Sequence, residues 1–324
     1  MKERVKRFLR RSFDRIVPPD AIQLPAPIEK RFLDITEFEF STGKKVTLEK
    51  KPHLVYLIAP LQRSGHNYIS NLLRNHAQIK SPSGTNLPGE QNIMQHSEHL
   101  MWYASKTVAG QKGWETKTEE LVKLQSAIFL RAIGYSLIEF YSKFISIQAK
   151  YLLLKDPASV GIANFSSVFP EGKLICLMRD GRDVVQSYIK TWKGFDFELA
   201  CKMWRDGTER MLNLPDEDKG KRYLLISYEK VFANPADEMK KVLAFLNLSE
   251  SEYAFDKIDE LPIFGSSTNS VNEKGEVDWS ITNNKKDFTP VGKWQQWSAA
   301  QKSIFKKVAG ETLVRAGYEQ NDNW

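Results

Sequence analysis

Leu57-Ile58-Ala59-Pro60-Leu61-Gln62-Arg63-Ser64-Gly65-His66-Asn67-Tyr68 is the stretch on which the fold turns. It reads as the end of a buried apolar strand, a short turn around Gly65, and the opening of a helix that runs from about Asn67 to His76. A helix start of this kind presents unpaired N–H groups, and its macrodipole attracts negative charge. Arg63 adds a permanent cation, so the turn is a candidate phosphate loop. A glycine turn is common to many strand-to-helix connections, however, and the assignment needs a second observation. The Gly-x-x-x-x-Gly-Lys-Ser/Thr loop of nucleotide kinases is absent, and with it the lysine and the magnesium-binding hydroxyl of phosphoryl transfer.

Outward from this loop the same alternation repeats. His53 to Ala59, Tyr151 to Leu154, Lys173 to Met178 and Tyr223 to Ser227 are short apolar runs, and helical patterns follow from Asp180 to Trp192 and through Ala236 to Leu246. Strand and helix in alternation predict an α/β fold, a central parallel sheet flanked by helices, with ligands bound at the carboxyl ends of the strands. Ile35 to Phe40 and Lys45 to Leu48 alternate like a hairpin around Ser41-Thr42-Gly43-Lys44. Residues 34–324 are therefore expected to form one domain, and residues 1–33 a basic helix and a linker marked by Pro18, Pro19, Pro25 and Pro27. The region Phe264 to Thr289, rich in Ser, Asn, Lys and Gly, reads as a long loop of the kind that serves as a lid.

The second strand-to-helix junction supplies the second observation. The buried run Lys173 to Met178 leads into Arg179-Asp180-Gly181-Arg182-Asp183-Val184-Val185-Gln186-Ser187. Arg179 at the strand tip and Ser187 on the following helix bring a guanidinium and a hydroxyl toward one point, which suits a doubly charged phosphate. The competing reading makes Arg179, Asp180, Arg182 and Asp183 a solvated cluster of ion pairs. Two phosphate sites at two strand ends carry much more weight than either alone.

At this point the chain resembles the sulfotransferase family that uses 3′-phosphoadenosine 5′-phosphosulfate (PAPS). That family's first motif runs Lys/Arg-Ser-Gly-Thr/Ser-Thr-Trp, and its second runs Arg-Asp-Pro-Arg-Asp-Val with a serine eight residues after the leading arginine. The resemblance continues through Ile226-Ser227-Tyr228-Glu229-Lys230, Asn234-Pro235, Val291-Gly292-Lys293-Trp294 and Ala316-Gly317-Tyr318, covering roughly residues 53 to 320. It implies a P-loop-like nucleotide-binding architecture. It also implies that Arg63, Ser64, Gly65, His66 and Asn67 hold the 5′-phosphosulfate, that Arg179 and Ser187 hold the 3′-phosphate, and that Tyr68 and Tyr228 contact adenine. Gly292 and Lys293, with Lys285 and Lys286 nearby, would close over the nucleotide. The chain departs from the pattern at His66 and Asn67, which replace hydroxyl residues, at Tyr68 for tryptophan, at Gly181 for proline, and in lacking the Arg-Lys-Gly triplet at its usual distance from the tryptophan.

Sulfuryl transfer is an in-line displacement in which charge gathers on the leaving oxygen, so fixed cations and backbone donors supply much of the catalysis. Arg63 is the candidate for that role, and no metal need bridge a group carrying a single charge. An acceptor hydroxyl must lose its proton to a general base. Glu90, in the turn Leu87-Pro88-Gly89-Glu90, is the first candidate, lying in the segment from which several sulfotransferase branches draw a carboxylate. His96, Glu98 and His99 are the alternatives, because the Lys155-Asp156-Pro157 turn has no histidine where some branches carry one. The expected acceptor is a carbohydrate or glycolipid, with a small-molecule natural product as the alternative, and Trp102, Tyr103 and Trp114 suit a sugar, a phenol or the core alike. A nucleotide-dependent kinase and a non-catalytic nucleotide-binding module are the competing classes.

Composition sets the outer bounds. With 41% hydrophobic and 27% charged residues the chain has the make-up of a globular protein with a substantial core. Its two cysteines, Cys176 and Cys201, argue against a disulfide framework or a zinc site. Forty-seven basic against 40 acidic residues give a net charge of +7, which suits an anionic small molecule without implying nucleic acid. Much of the excess lies at the start, where Lys2, Arg4, Lys6, Arg7, Arg10, Arg11 and Arg15 surround Val5, Phe8, Leu9, Phe13 and Ile16 at helical spacing. That segment reads as a solvated helix or as a peripheral membrane contact, without the features of a secretory or organelle signal, so a cytoplasmic location is expected. Leu121 to Gln148 reads as a long buried helix, broken near Gly134 and interrupted too often by charge to span a bilayer.

Overall fold

The computed structural model describes residues 37–39, 45–47, 53–82, 90–109, 118–145, 149–264, 281–282, 289–321 and 323–324. The basic arm, the linker, Trp114, Lys285, Lys286 and most of the expected lid lie outside these residues. In chain order the elements are β1 (Glu37–Glu39), β2 (Lys45–Thr47), β3 (His53–Ile58), α1 (His66–Arg74), β4 (Ile79–Lys80), α2 (Ser97–Ala109) and α3 (Glu119–Ser142). They continue with β5 (Tyr151–Asp156), α4 (Phe165–Val168), β6 (Lys173–Met178), α5 (Gly181–Thr191), α6 (Phe197–Leu212) and β7 (Tyr223–Ser227). The last are α7 (Tyr228–Ala233), α8 (Pro235–Leu246), β8 (Ile263–Phe264), β9 (Ile281–Thr282) and α9 (Ala299–Arg315).

Five strands form the central parallel sheet in the order β4-β5-β3-β6-β7, the α/β architecture that the alternating pattern predicts. The runs of β3, β5 and β6 are buried nearly end to end, as strands covered on both faces must be, while β7 at the sheet edge is only partly buried. The β1–β2 hairpin is present and antiparallel. β8 and β9 form a second antiparallel pair, β8 at the start of the expected lid region and β9 within it. β6 and β7 pair in parallel with Met178 opposite Ser227, so that Arg179 and Tyr228 leave the sheet side by side.

The chain divides into two compact units, one comprising 1–55, 80–154 and 160–173, the other 56–79, 155–159 and 174–324. In the first, α2 and α3 pack around Met101, Ala104 and Leu130. Thr118 caps α3 by accepting the Leu121 N–H at 3.2 Å. The expected break at Gly134 is absent, and α3 runs unbroken for 24 residues. A Cβ at Gly134 would stand 2.0 Å from the Val168 carbonyl oxygen, so the glycine permits a close approach of two backbones instead of ending a helix. Only one stripe of α3 is buried, Ser126, Ala127, Leu130, Arg131, Gly134 and Ile138. By length and composition α3 is also long and apolar enough to cross a membrane, contrary to the reading of its charges as too frequent. Arg131 at its middle is buried and donates to Glu171 Oε1 at 2.5 Å and to the Tyr135 hydroxyl at 3.0 Å.

In the second unit, α5, α6 and α9 enclose a core of Val184, Val185, Tyr188, Trp204, Phe305 and Leu313. Trp204 is fully buried, and its indole N–H donates to the Arg179 carbonyl at 3.3 Å. A Cβ at Gly181 would meet the Trp204 ring at 2.4 Å. This accounts for the departure from proline at that position: the space a side chain would fill is taken by indole. Cys176 and Cys201 are buried free thiols, and burial pushes Cys201 up to about 12.

Candidate functional site

The loop after β3 is shaped by two residues in the left-handed region. Gly65, which caps α1, has φ +94°, and a Cβ there would stand 2.2 Å from the Tyr228 ring, so only glycine fits. Arg63 has φ +75°, an uncommon conformation for a residue with a side chain. Ser64 is buried and its hydroxyl donates to the Leu61 carbonyl at 2.6 Å, which closes the turn on itself. His66 and Asn67 open α1, and Asn67 Oδ1 accepts from Lys155 Nζ at 2.5 Å.

The second junction meets this loop directly. Arg63 Nε donates to Ser187 Oγ at 3.3 Å, and Arg179 Nη1 donates to the Arg63 carbonyl at 2.8 Å. Arg179 Nη2 binds the Pro290 carbonyl at 2.7 Å, and its guanidinium lies over the Tyr228 ring at 4.4 Å. The reading of Arg179, Asp180, Arg182 and Asp183 as a solvated cluster is not met, since all four are buried. Tyr68 and Tyr228 stand edge to face with centroids 6.3 Å apart, and Phe232 stacks on Tyr228. Both tyrosines are buried, and Tyr228 lies against the loop at Gly65 and under Arg179.

The segment 290–294 completes the site. Asp183 accepts the Gly292 N–H at 2.7 Å and the Trp294 N–H at 3.3 Å, which sets Lys293 between them. Burial, then the proximity of Arg179 and Lys190, depresses Lys293 to about 8. Burial, with Arg179 beside it, lowers Arg63 to about 10. Cations gathered to the point of lowering one another's proton affinity form a site built for an anion. Arg179 Nε is buried and has no hydrogen-bond partner among the described residues, a donor of the kind an incoming phosphate oxygen would satisfy. On these two observations the residues fit a nucleotide carrying more than one phosphate.

All of the residues expected around the nucleotide, Arg63, Ser64, Gly65, His66, Asn67, Tyr68, Arg179, Ser187, Tyr228, Gly292 and Lys293, fall in the second unit. Sequence reasoning missed Lys155, a buried lysine held against Asn67, in a turn notable in sequence only for lacking a histidine. It also missed Asp183 as the carboxylate that fastens segment 290–294. The candidate bases belong to the first unit. Glu90 is half-buried in irregular chain ahead of a 3₁₀ turn at Met94–His96, while His96 and His99 are exposed with ring centroids 6.1 Å apart.

The fold and this cation cluster define an α/β protein with a cationic site at its strand ends, of a shape and charge that fit a polyphosphorylated ligand. Residues 57–252 match the model of the Sulfotransferase family, and the chain belongs to that family. It is 24% identical over 235 residues to a protein-tyrosine sulfotransferase of Drosophila melanogaster, which covers 68% of this chain and 42% of the relative. It is 23% identical over 240 residues to protein-tyrosine sulfotransferase 2 of Gallus gallus, covering 70% of this chain and 58% of the relative. The chain thus spans about half the length of the curated relatives it matches. Among solved structures, the sulfotransferase domain of the Synechococcus PCC 7002 olefin synthase superposes with a TM-score of 0.47 at 18% identity, covering 82% of this chain and 96% of that domain.

Proposed function

We propose that this chain transfers a sulfuryl group from PAPS to a hydroxyl of its acceptor. One observation carries the reading: Arg63, Arg179 and Ser187, from two separate strand-to-helix junctions, are joined by hydrogen bonds beside a lysine depressed by burial and then by its cationic neighbours. PAPS supplies the sulfuryl group and a phosphate leaving group. The chain's own residues do the rest. Arg63 and the N–H groups at the start of α1 face the 5′ side and stabilise the negative charge that grows there. Lys155, held against Asn67, adds a second cation on that side. Arg179, Ser187 and Lys293 take the 3′-phosphate, and Asp183 keeps Lys293 in place through the backbone on either side of it. Glu90 accepts the proton of the acceptor hydroxyl.

For the acceptor we infer a phenolic hydroxyl of the tyrosine kind. The support is the two curated relatives, both protein-tyrosine sulfotransferases by name. A sugar hydroxyl, the expectation from sequence, is the alternative that the test below separates from it.

The test has two arms. Calorimetry should show adenosine 3′,5′-bisphosphate binding more tightly than adenosine 5′-phosphate, since charge-assisted bonds to the 3′-phosphate contribute about 1.5–3 kcal/mol each. Equal affinities would remove the donor reading. Labelled PAPS offered with tyrosine peptides and with oligosaccharides then separates the two acceptors by which one gains label. Transfer to neither, with metal-dependent turnover of ATP instead, would return the site to the kinase class.

A further inference from the structure

The second arginine of Arg179-Asp180-Gly181-Arg182-Asp183 does not point its donors at the nucleotide site. Arg182 is 3% exposed and its guanidinium is fully committed elsewhere. Nε and Nη2 grip the Asp180 carboxylate at 3.0 and 2.7 Å, and Nη1 binds Glu319 Oε1 at 2.5 Å. The Trp294 ring lies 3.9 Å from the guanidinium carbon and the Trp324 ring 4.5 Å. The two indoles meet edge to face, 5.5 Å apart, and form a corner around the cation.

This cage joins three segments that are distant in sequence. Asp180 is further held by its own N–H, which donates to Glu229 Oε1 at 2.9 Å. Glu229 Oε2 in turn accepts from Ser227 and from the Tyr318 hydroxyl. Trp294 closes the stretch whose Pro290 carbonyl receives Arg179 and whose Gly292 and Trp294 N–H groups bind Asp183. A planar guanidinium suits such a cage because it forks onto a carboxylate while stacking on aromatic rings, which an ammonium does not do.

We propose that Arg182 is a positioning residue for recognition of the 3′-phosphate, acting through Trp294 and segment 290–294 on Arg179 and Lys293. The inference rests on the donor reading above and extends it to a residue that touches no ligand. With the cage loosened, the Pro290 carbonyl no longer steadies Arg179 Nη2 and Lys293 loses its aim, while Arg179 Nη1 still holds the Arg63 carbonyl and Ser64 still closes the loop on Leu61.

The experiment compares two nucleotides on the full chain by calorimetry, adenosine 3′,5′-bisphosphate and adenosine 5′-phosphate, with thermal melts alongside. Arg182→Lys keeps the charge and loses the fork and the stack. It should weaken the bisphosphate roughly tenfold or more and the monophosphate less than about twofold, a loss of discrimination that a general drop in stability does not produce. Trp324→Phe, which keeps an aromatic wall, should retain most of the discrimination, and Glu319→Gln should lose part of it. Glu319→Gln also serves if Arg182→Lys fails to fold. Unchanged discrimination in a wild-type-like melt, or equal weakening of both nucleotides, overturns the role of Arg182 alone. If the wild-type chain does not distinguish the two nucleotides, the donor reading falls and the inference falls with it.

Discussion

Arg179 donates to the carbonyl oxygen of Arg63 at 2.8 Å, and Arg63 is the residue whose φ of +75° turns the loop toward the start of α1. A non-glycine residue held there costs on the order of 1 kcal/mol and persists only where its surroundings hold it. The arginine assigned to the 3′-phosphate therefore also holds the shape of the loop assigned to the 5′ side. The two phosphate sites are one piece of structure.

Substitutions at Arg63 separate its side chain from its backbone. Arg63→Gly removes the strain and should fold more stably than Arg63→Ala by about 1 kcal/mol, read from denaturant melts. Both should lower sulfuryl transfer by about 10²–10³-fold, because both remove the charge that stabilises the leaving oxygen. Equal stabilities would mean that the loop relaxes freely, and full turnover in either would overturn the role of Arg63.

Lys293 gives the site a pH dependence of definite sign. It is depressed from an ordinary 10.5 to about 8 by burial and by Arg179 and Lys190, and an anion bound beside it reverses part of that shift. Above about pH 8, binding adenosine 3′,5′-bisphosphate must then draw a proton from solution, so affinity should fall by up to about tenfold per pH unit. Folding stability of the ligand-free chain moves the other way. Between about 8 and 10.5 the unfolded chain binds more protons at this group, so its contribution to stability rises with pH. Calorimetry in buffers of different ionisation enthalpy should detect proton uptake at about pH 9 and none in Lys293→Met. Affinity that is flat across this range would remove Lys293 from the phosphate site.

Gly181 tests the packing beneath the second junction. At the first turn of a helix, alanine ordinarily beats glycine by about 0.5–1 kcal/mol. Here the added methyl would stand 2.4 Å from the Trp204 ring, so Gly181→Ala should destabilise by about 1–3 kcal/mol. In a Trp204→Leu background the same substitution should cost less than about 0.5 kcal/mol, because the obstructing ring is gone. Additive effects in that double-mutant cycle would show that the glycine is there for another reason.

These cases also show what was legible in advance. β6 begins and ends where its apolar run does, since a strand buried on both faces has no other signal to obscure it. The two junctions were legible because glycine turns and the charges beside them lie within a few residues of one another. Lys155, Asp183 and Arg182 were not, because each acts on residues from another segment: Asn67, Gly292 and Glu319. Gly134 misled for the same reason. A glycine that ends a helix and one that admits a neighbouring carbonyl read alike until Val168 is placed beside it. The residue at position 181 was visible as a departure from proline, but its cause, the indole of Trp204, was not.

Glu90 is the remaining assignment, and its test is chemical. A positioned base speeds proton removal by about 10²–10⁴-fold, and the amide of glutamine keeps the shape of glutamate while accepting no proton. Glu90→Gln should therefore slow transfer by that factor while leaving affinity for adenosine 3′,5′-bisphosphate nearly unchanged, because the residues assigned to the nucleotide all lie in the other unit. Activity at the acid side should change as well. In the wild-type chain the rate should fall as pH drops through the carboxylate's ionisation, and in Glu90→Gln that limb should vanish. A near-normal rate with an unchanged pH profile would eliminate Glu90. Attention would then pass to His96 and His99, which single His→Gln variants would separate by their rates.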